Sequence, residues 1–479
     1  MSARLRAAAC LMVLVAVLAP GACRQPPSKG PSRPAAEASS GSGLSVLLIT
    51  IDTLRADHLS AYGYARRTSP RIDALATQGT LFDEAYTFWP KTRGSFVALL
   101  TGKPPSRTGY SKTHPVLLDL NATLASVLRA AGYATTAVVD NPNVAAGLGY
   151  SKGFDRYRET WEDGALATEM DRARAITAEG AEVLGAARPE RPFLLWLHYV
   201  NPHTPYEPEK PFDTMFADGF ESGPELPVVP GLHGGVSKQW AVAGRRRLGY
   251  YVAQYDGEIA AVDDEVGRVL AALESSAVRD RTLVVLTSDH GESLGEHDYY
   301  FDHGENLFHP SLRVPLIVRA PGAPAGRRSP VFASTLDLVP TILDAVKVSW
   351  PADLMGTSLL DVVEGRGEPR RERLFAQNDR NLVAAFDRSF KIIATPETER
   401  RQFALYDRAR DPGEKKDVAR ARPEDLRELR RELELYLEQS DREWNRLRPV
   451  VEGRPGEGRM SPEACERLRA LNYVVAGCE

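Results

Sequence analysis

Apolar residues along this chain fall into short unbroken runs separated by longer amphipathic stretches, the alternation expected when strands and helices take turns. Ser45 to Ile51 is one such run. A run of this kind suits a strand covered on both faces, hence a parallel central sheet. Phe193 to Leu197, Thr282 to Thr287 and Val314 to Arg319 read the same way, and Ala134 to Val139 follows a predicted helix over Thr123 to Ala131 and a glycine. Tyr250 to Leu273 predicts a long amphipathic helix, with Tyr255, Ile259, Val262, Val266, Val269 and Leu270 near helical spacing. Asp52, Asn141, His198 and Asp289 each fall at or just past the end of a predicted strand. In open α/β sheets ligands bind outside the carboxyl ends of the strands, so these four residues are aimed at one exposed rim.

Beyond about residue 370 the pattern changes. Short strand-like pieces, Leu382 to Phe386 and Lys391 to Ile393, precede a charged helix over Arg422 to Glu438. The organisation predicted is a catalytic domain over residues 44–369 and a smaller α+β subdomain over residues 370–479. Ahead of them, residues 1–23 read as an export signal. Arg4 and Arg6 precede an apolar stretch, Ala7 to Leu18, that is short for a spanning helix. Small residues before Cys23 look like a bacterial lipoprotein processing site; ordinary cleavage nearby, with Cys23 incidental, is the competing reading. Residues 24–43 are rich in Pro, Ser, Gly and Ala and read as a flexible tether. The expected location is therefore the bacterial periplasm or cell surface, with the membrane as partner through lipidated Cys23.

Composition narrows the classes. Hydrophobic residues at 43% and charged residues at 26% are ordinary for a globular chain and exclude a collagen-like or multi-pass membrane protein. A formal net charge of -4 gives no electrostatic support for binding nucleic acid.

Six of the nine histidines lie in two short segments, at 198, 203, 290, 297, 303 and 309. Clustered histidines beside aspartates at strand ends suggest a metal or phosphate-handling site. Asp289-His290-Gly291 sets a carboxylate beside an imidazole, with a glycine that admits close backbone approach, and Asp52 can add an oxygen. Thr92 opens a predicted helix. It is either a cap or a nucleophile, with the helix start stabilising a developing anion. His203 lies in Asn201-Pro202-His203-Thr204-Pro205, where two prolines stiffen the loop and suit it to a general acid.

Together these segments resemble the sulfatase family of the alkaline phosphatase superfamily across nearly all of residues 44–476. The resemblance is carried by Ile51-Asp52-Thr53 through Tyr62-Gly63, by Thr92-Arg93-Gly94-Ser95 ending in Leu99-Leu100-Thr101-Gly102, by His198 to Tyr206, and by Tyr255-Asp256-Gly257-Glu258. Ser288-Asp289-His290-Gly291-Glu292, Arg313-Val314-Pro315, Leu405-Tyr406-Asp407 and Asp411-Pro412-Gly413-Glu414 complete it. It implies an alkaline-phosphatase-like, mostly parallel sheet flanked by helices, and an anionic ester substrate. It implies a divalent cation held by Asp52, Asp289 and His290, with Thr92 both ligand and nucleophile. Arg93, Asn141 and His198 are expected at the substrate and His203 and His303 in catalysis.

The departures from the family pattern are informative. Sulfatases that cleave sulfate esters generally carry Cys or Ser, oxidised to formylglycine, where this chain has Thr92, and an arginine where it has Phe96. Thr53 replaces the second aspartate of the usual pair, and Asn141 or a neighbour replaces a lysine. Superfamily members with two zinc ions carry Asp-x-x-x-His, whereas Asp256 is followed at that spacing by Ala260. One ion is therefore expected, with Ca²⁺, Mg²⁺, Mn²⁺ and Zn²⁺ all open. The leading expectation is a hydrolase of phosphate or phosphonate esters acting through Thr92. The alternatives are a sulfatase acting on sulfated glycans or small molecules, and a non-catalytic binding protein of the same fold.

Overall fold

The computed structural model describes residues 42–111, 113–367, 371–396, 401–453 and 460–471. The signal, Cys23 and the tether up to residue 41 lie outside the described residues. The first strands are β1 (Ser45–Ile51), β2 (Thr80–Tyr86), β3 (Ala134–Val139), β4 (Arg156–Glu159) and β5 (Phe193–Tyr199). Two short ribbons, β6 (Val228–Val229) with β7 (Val236–Ser237) and β9 (Ser293–Leu294) with β10 (Tyr300–Asp302), lie on either side of β8 (Thr282–Ser288) in the chain. β11 (Leu316–Arg319) and β12 (Arg327–Ser334) complete an eight-stranded sheet of order β12-β2-β11-β8-β1-β5-β3-β4. β11 pairs antiparallel with β8 and β2, and every other pair in this sheet is parallel.

The unbroken apolar runs are explained by two covered faces. In β1, Val46 and Leu48 enter one hydrophobic core while Leu47, Ile49 and Ile51 enter the other. β8 divides likewise, Leu283 and Val285 from Val284 and Leu286. The first core is closed by α2 (Thr92–Thr101) and α3 (Leu124–Ala130); the second is closed by α1 (Pro70–Gln78), α4 (Glu169–Ala186) and α5 (Leu248–Glu274). Thr123 caps α3 through a reciprocal bond pair with Ser126, which is why that helix starts where the sequence places it.

After α6 (His309–Leu312), α7 (Leu338–Ala345) and α8 (Leu360–Val363) comes a four-stranded antiparallel sheet. Its strands are β13 (Leu374–Gln377), β14 (Val383–Phe386), β15 (Phe390–Thr395) and β16 (Gln402–Asp407). α9 (Pro423–Glu452) and α10 (Pro462–Ala470) follow. The small sheet shares the first core with the large one through Val383, Ala385, Phe390, Ile392 and Leu405. The change at residue 370 is thus a change of sheet within a continuous core.

Several expectations are corrected. His198 lies inside β5, which continues to Tyr199, and not past its end. The strand expected from Val314 begins at Leu316 and runs against its neighbours, and the charged helix extends to Glu452. The rim residues Asp52, Asn141, His198 and Asp289 are fully buried and not exposed.

α2 packs tightly on the segment before it. A Cβ added at Gly94 would meet the Trp89 indole at 2.4 Å, and Trp89 is itself buried. Gly94→Ala is therefore expected to destabilise the protein by about 1–3 kcal/mol, measured by urea unfolding.

Candidate active site and metal centre

The sheet register builds the centre. Ile51 lies opposite Ser288, so β1 and β8 end level and their next residues, Asp52 and Asp289, become neighbours. Each carboxylate has one oxygen satisfied by the chain. Asp52 Oδ2 accepts from the Asn141 amide, and Asp289 Oδ1 accepts from the backbone N–H of His290 at 2.8 Å and of Thr53 at 3.3 Å. The other oxygens, Asp52 Oδ1 and Asp289 Oδ2, are buried without a hydrogen-bond partner. They lie 3.7 and 3.3 Å from His290 Nε2.

Electrostatics sharpen the picture. Burial raises both carboxyl pKa values, Asp52 well above its ordinary value and Asp289 to about 7; at Asp52 the neighbouring Asp289 charge adds to the rise. Two buried acids with orphaned oxygens are costly alone and suit a cation. Burial holds the His290 pKa well below the usual imidazole range, and its Nδ1–H donates to the Gly291 carbonyl at 3.1 Å. That leaves the Nε2 lone pair pointing at the two aspartates, the form in which histidine binds metal. Asp52, Asp289 and His290 thus offer two oxygens and a nitrogen, each within 4.8 Å of the others, which fits a divalent cation.

Thr92 is the first residue of α2, and its Oγ1 lies 3.2 Å from His290 Nε2. The capping position is held by Lys91, so Thr92 stands inside the helix start, where first-turn N–H groups favour negative charge. His203 and His303 are ring neighbours at 5.1 Å, and His303 lies 4.2 Å from His290. His203 Nδ1–H donates to Thr204 O at 2.6 Å and His303 Nδ1–H donates to Glu292 Oε1 at 3.2 Å. In both rings Nε2 is therefore the candidate catalytic edge. Glu292 is fully buried, and burial lifts its pKa to about 7, against the opposing pull of His203 and of hydrogen bonds from Thr204. It ties the His203 loop to His303, a role the sequence reading missed although Glu292 stood in the quoted motif.

A cavity of about 480 Å³ adjoins the centre, with Arg93, His203, Glu292 and His303 in its wall. Arg93 Nε donates to Asn143 Oδ1 at 2.9 Å. Asn141 and His198, expected at the substrate, are not in this wall. Asn141 is occupied by Asp52, and the unpartnered Nε2 of His198 lies 3.9 Å from Asp52 Oδ2. Burial lowers the His198 pKa to about 3, so it stays neutral beside the carboxylate. Asn141 supports Asp52 by donating to it, whereas His198 only packs beside it. Trp240, Tyr299 and Arg380 line the cavity from distant segments and had no signal in the linear pattern, and Lys91 joins them from beside Thr92. Asp256, at the position that precedes a second metal's histidine in the two-zinc pattern, instead binds His58 Nδ1, Tyr64 OH and Arg66 NH1 at 2.7, 2.8 and 2.7 Å.

Two outcomes follow from this geometry. Asp289 has a folded-state pKa above its unfolded value, so the folded protein retains protons that the unfolded chain has lost. Chelated protein should therefore lose stability as pH rises from about 4 to 7, and added divalent ion should restore it by about 2.7 kcal/mol at a hundredfold excess over Kd. Asp289→Asn should reduce the pH-dependent loss, to which Asp52 and Glu292 also contribute, and abolish the metal response, both read by thermal unfolding. Separately, Glu292→Ala should slow turnover about a hundredfold with metal content retained, by kinetics and elemental analysis.

Comparison with known proteins identifies the family. The sequence model of the Sulfatase family matches residues 45–348, and a model described as N-sulphoglucosamine sulphohydrolase, C-terminal, matches residues 295–443. The chain is 25% identical over 442 residues to an arylsulfatase of Clostridium perfringens, covering 77% of this chain and 89% of that protein. It is 24% identical over 438 residues to an N-acetylglucosamine-6-O-sulfatase of Bacteroides thetaiotaomicron, covering 75% and 76%. The solved phosphonate monoester hydrolase of Agrobacterium radiobacter shares the fold with a TM-score of 0.69 at 24% identity, covering 84% of this chain and 96% of that chain. With the family segment running from β1 past α7 and enclosing both strand-end aspartates, this chain belongs to the sulfatase family, the metal-dependent hydrolases of the alkaline phosphatase superfamily.

Proposed function

We propose that this hydrolase cleaves phosphate or phosphonate esters through Thr92. The observation that carries the reading is the Thr92 hydroxyl at the start of α2, 3.2 Å from His290 Nε2 and beside the two orphaned aspartate oxygens. Threonine is not a formylglycine precursor, so Thr92 acts by direct attack. One divalent ion, bound by Asp52, Asp289 and His290 with Thr92 Oγ1, would supply charge neutralisation and a lowered hydroxyl pKa. Thr92 Oγ1 forms a bond to phosphorus as the bond to the ester oxygen breaks, leaving a phosphothreonine or phosphonothreonine. The Thr92 proton is released to solvent as the hydroxyl ionises; His203, carrying a proton on both ring nitrogens, gives the Nε2 proton to the departing oxygen and recovers one from the water that cleaves the threonine ester. The α2 N–H groups and Arg93 face the negative oxygens. His303, held by Glu292, keeps the His203 ring in place.

Sulfate esters are the second reading, because both relatives described above are named sulfatases. Attack by a hydroxyl on a sulfate ester leaves an alkyl sulfate with no internal route to expel it. We therefore favour phosphorus. The support for a lipidated, exported protein is the signal-like segment ending at Cys23 and the disulfide formed by Cys465, a bond typical of oxidising compartments.

A panel of chromogenic phosphate, phosphonate and sulfate esters tests the reading. Phosphorus esters should be hydrolysed fastest, a modified Thr92 should be trapped by acid quench, and Thr92→Ala should lose on the order of a thousandfold in rate. A sulfate ester cleaved faster than every phosphorus ester would overturn it. Processed protein should begin at Cys23 and partition into detergent, and Cys23→Ser should partition into water.

A further inference from the structure

Residues 460–471 lie beyond both matched family segments, which end at residues 348 and 443. They nevertheless reach the active site. Ser461 caps α10, its Oγ accepting from Ala464 N–H at 3.0 Å and donating to Glu162. Arg467 pairs with Glu169 at the start of α4, and Ala464, Cys465, Leu468 and Leu471 are buried. α10 thereby packs against the turns over Pro142–Val144 and Thr160–Glu162. The first of these turns is flanked by Asn141, which holds Asp52, and contains Asn143, which holds Arg93.

One end of the segment lines the cavity and the other touches a residue that lines it. Leu471 is part of its wall. Met460 Sδ lies 3.8 Å from Arg93 NH2. Arg93 is thus positioned by a side-chain amide and a thioether, both neutral, and no carboxylate among the described residues stands within ion-pair distance of it. A guanidinium held by neutral groups keeps its charge for an anion.

We propose that residues 460–471 are a specificity wall of the active site: Met460 sets the position of the Arg93 guanidinium and Leu471 sets the width of the cavity beside it. The wall selects the non-reacting part of the ester by its bulk. This rests on the reading of Arg93 as the substrate's anion partner. It does not depend on whether the scissile group is phosphorus or sulfur.

The test uses the full chain with Met460→Ala and Leu471→Trp. Each is assayed on phenyl and naphthyl esters of whichever acid the unaltered protein cleaves fastest. Met460→Ala should raise KM about fivefold or more with little change in kcat, the mark of lost ground-state binding. Leu471→Trp should shift the ratio of kcat/KM for phenyl over naphthyl ester by at least about tenfold. Thermal unfolding and metal content report whether each variant is folded. An unchanged KM for Met460→Ala together with an unchanged ester ratio for Leu471→Trp would overturn the proposal. So would equal losses on both esters in a Leu471→Trp variant with native unfolding and metal content. Failure of the phosphorus reading would instead appear in the unaltered protein, as preference for the sulfate ester.

Discussion

Two carboxylates that cannot comfortably be charged together organise this site. Asp52 and Asp289 follow adjacent strands that end level, and both are fully buried. Removal from water and mutual repulsion each favour protonation, and the chain supplies only enough donors to satisfy one oxygen of each. The remaining pair of oxygens defines a place for positive charge. The surroundings are consistent with that demand. The helix start at Thr92 is aimed at the same point, and burial keeps His290 in the neutral form that can act as a ligand.

The histidines follow one rule. His198, His203, His290 and His303 each use Nδ1 on an acceptor: Thr50 O and Oγ1, Thr204 O, Gly291 O and Glu292 Oε1. Fixing Nδ1 fixes the tautomer and leaves Nε2 as the working edge. What differs is where that edge lies. In His198 it faces Asp52 beneath the centre, in His290 it faces both aspartates and Thr92, and in His203 and His303 it belongs to the cavity wall. Four residues of one type thus present the same ring edge to different surroundings through position alone.

Much of the sheet was legible because a strand covered on both faces must be apolar at every position. β1 and β3 were read to the residue, and β8 to within one. β2 was missed because Asp83 and Glu84 interrupt its run; both strand faces meet cover only at its ends. β4 is a short edge strand of charged and half-buried residues and carries no such signal. The metal donors were legible for the same reason as the strands, since each follows or adjoins a legible end. His198 was misplaced because a strand boundary read one or two residues early turns an interior residue into a rim residue. The cavity wall was not legible. Trp240, Tyr299, Arg380 and Leu471 come from four segments, and only the folded chain sets them around one space.

The difference between what was legible and what was not reflects a division of labour in the molecule. The donors for charge sit on strand ends, where register across the sheet fixes their spacing and any shift would disturb two cores. The groups that meet the rest of the substrate sit on the insert between β5 and α5, on the segment after β9, at the β13–β14 turn and at the end of α10. The insert and the segment after β9 join the centre chiefly through Glu292, which bonds Thr204 and His303, and α10 joins it through the turn that holds Asn143. Substitution in the outer elements can therefore alter which ester fits without moving the carboxylates. Substitution at Thr92, the nucleophile proposed above, does the reverse, altering the attacking group while the walls remain as they are. On the reading proposed for Thr92, Asp52, Asp289 and His290 form a frame that stays the same while the attacking group differs.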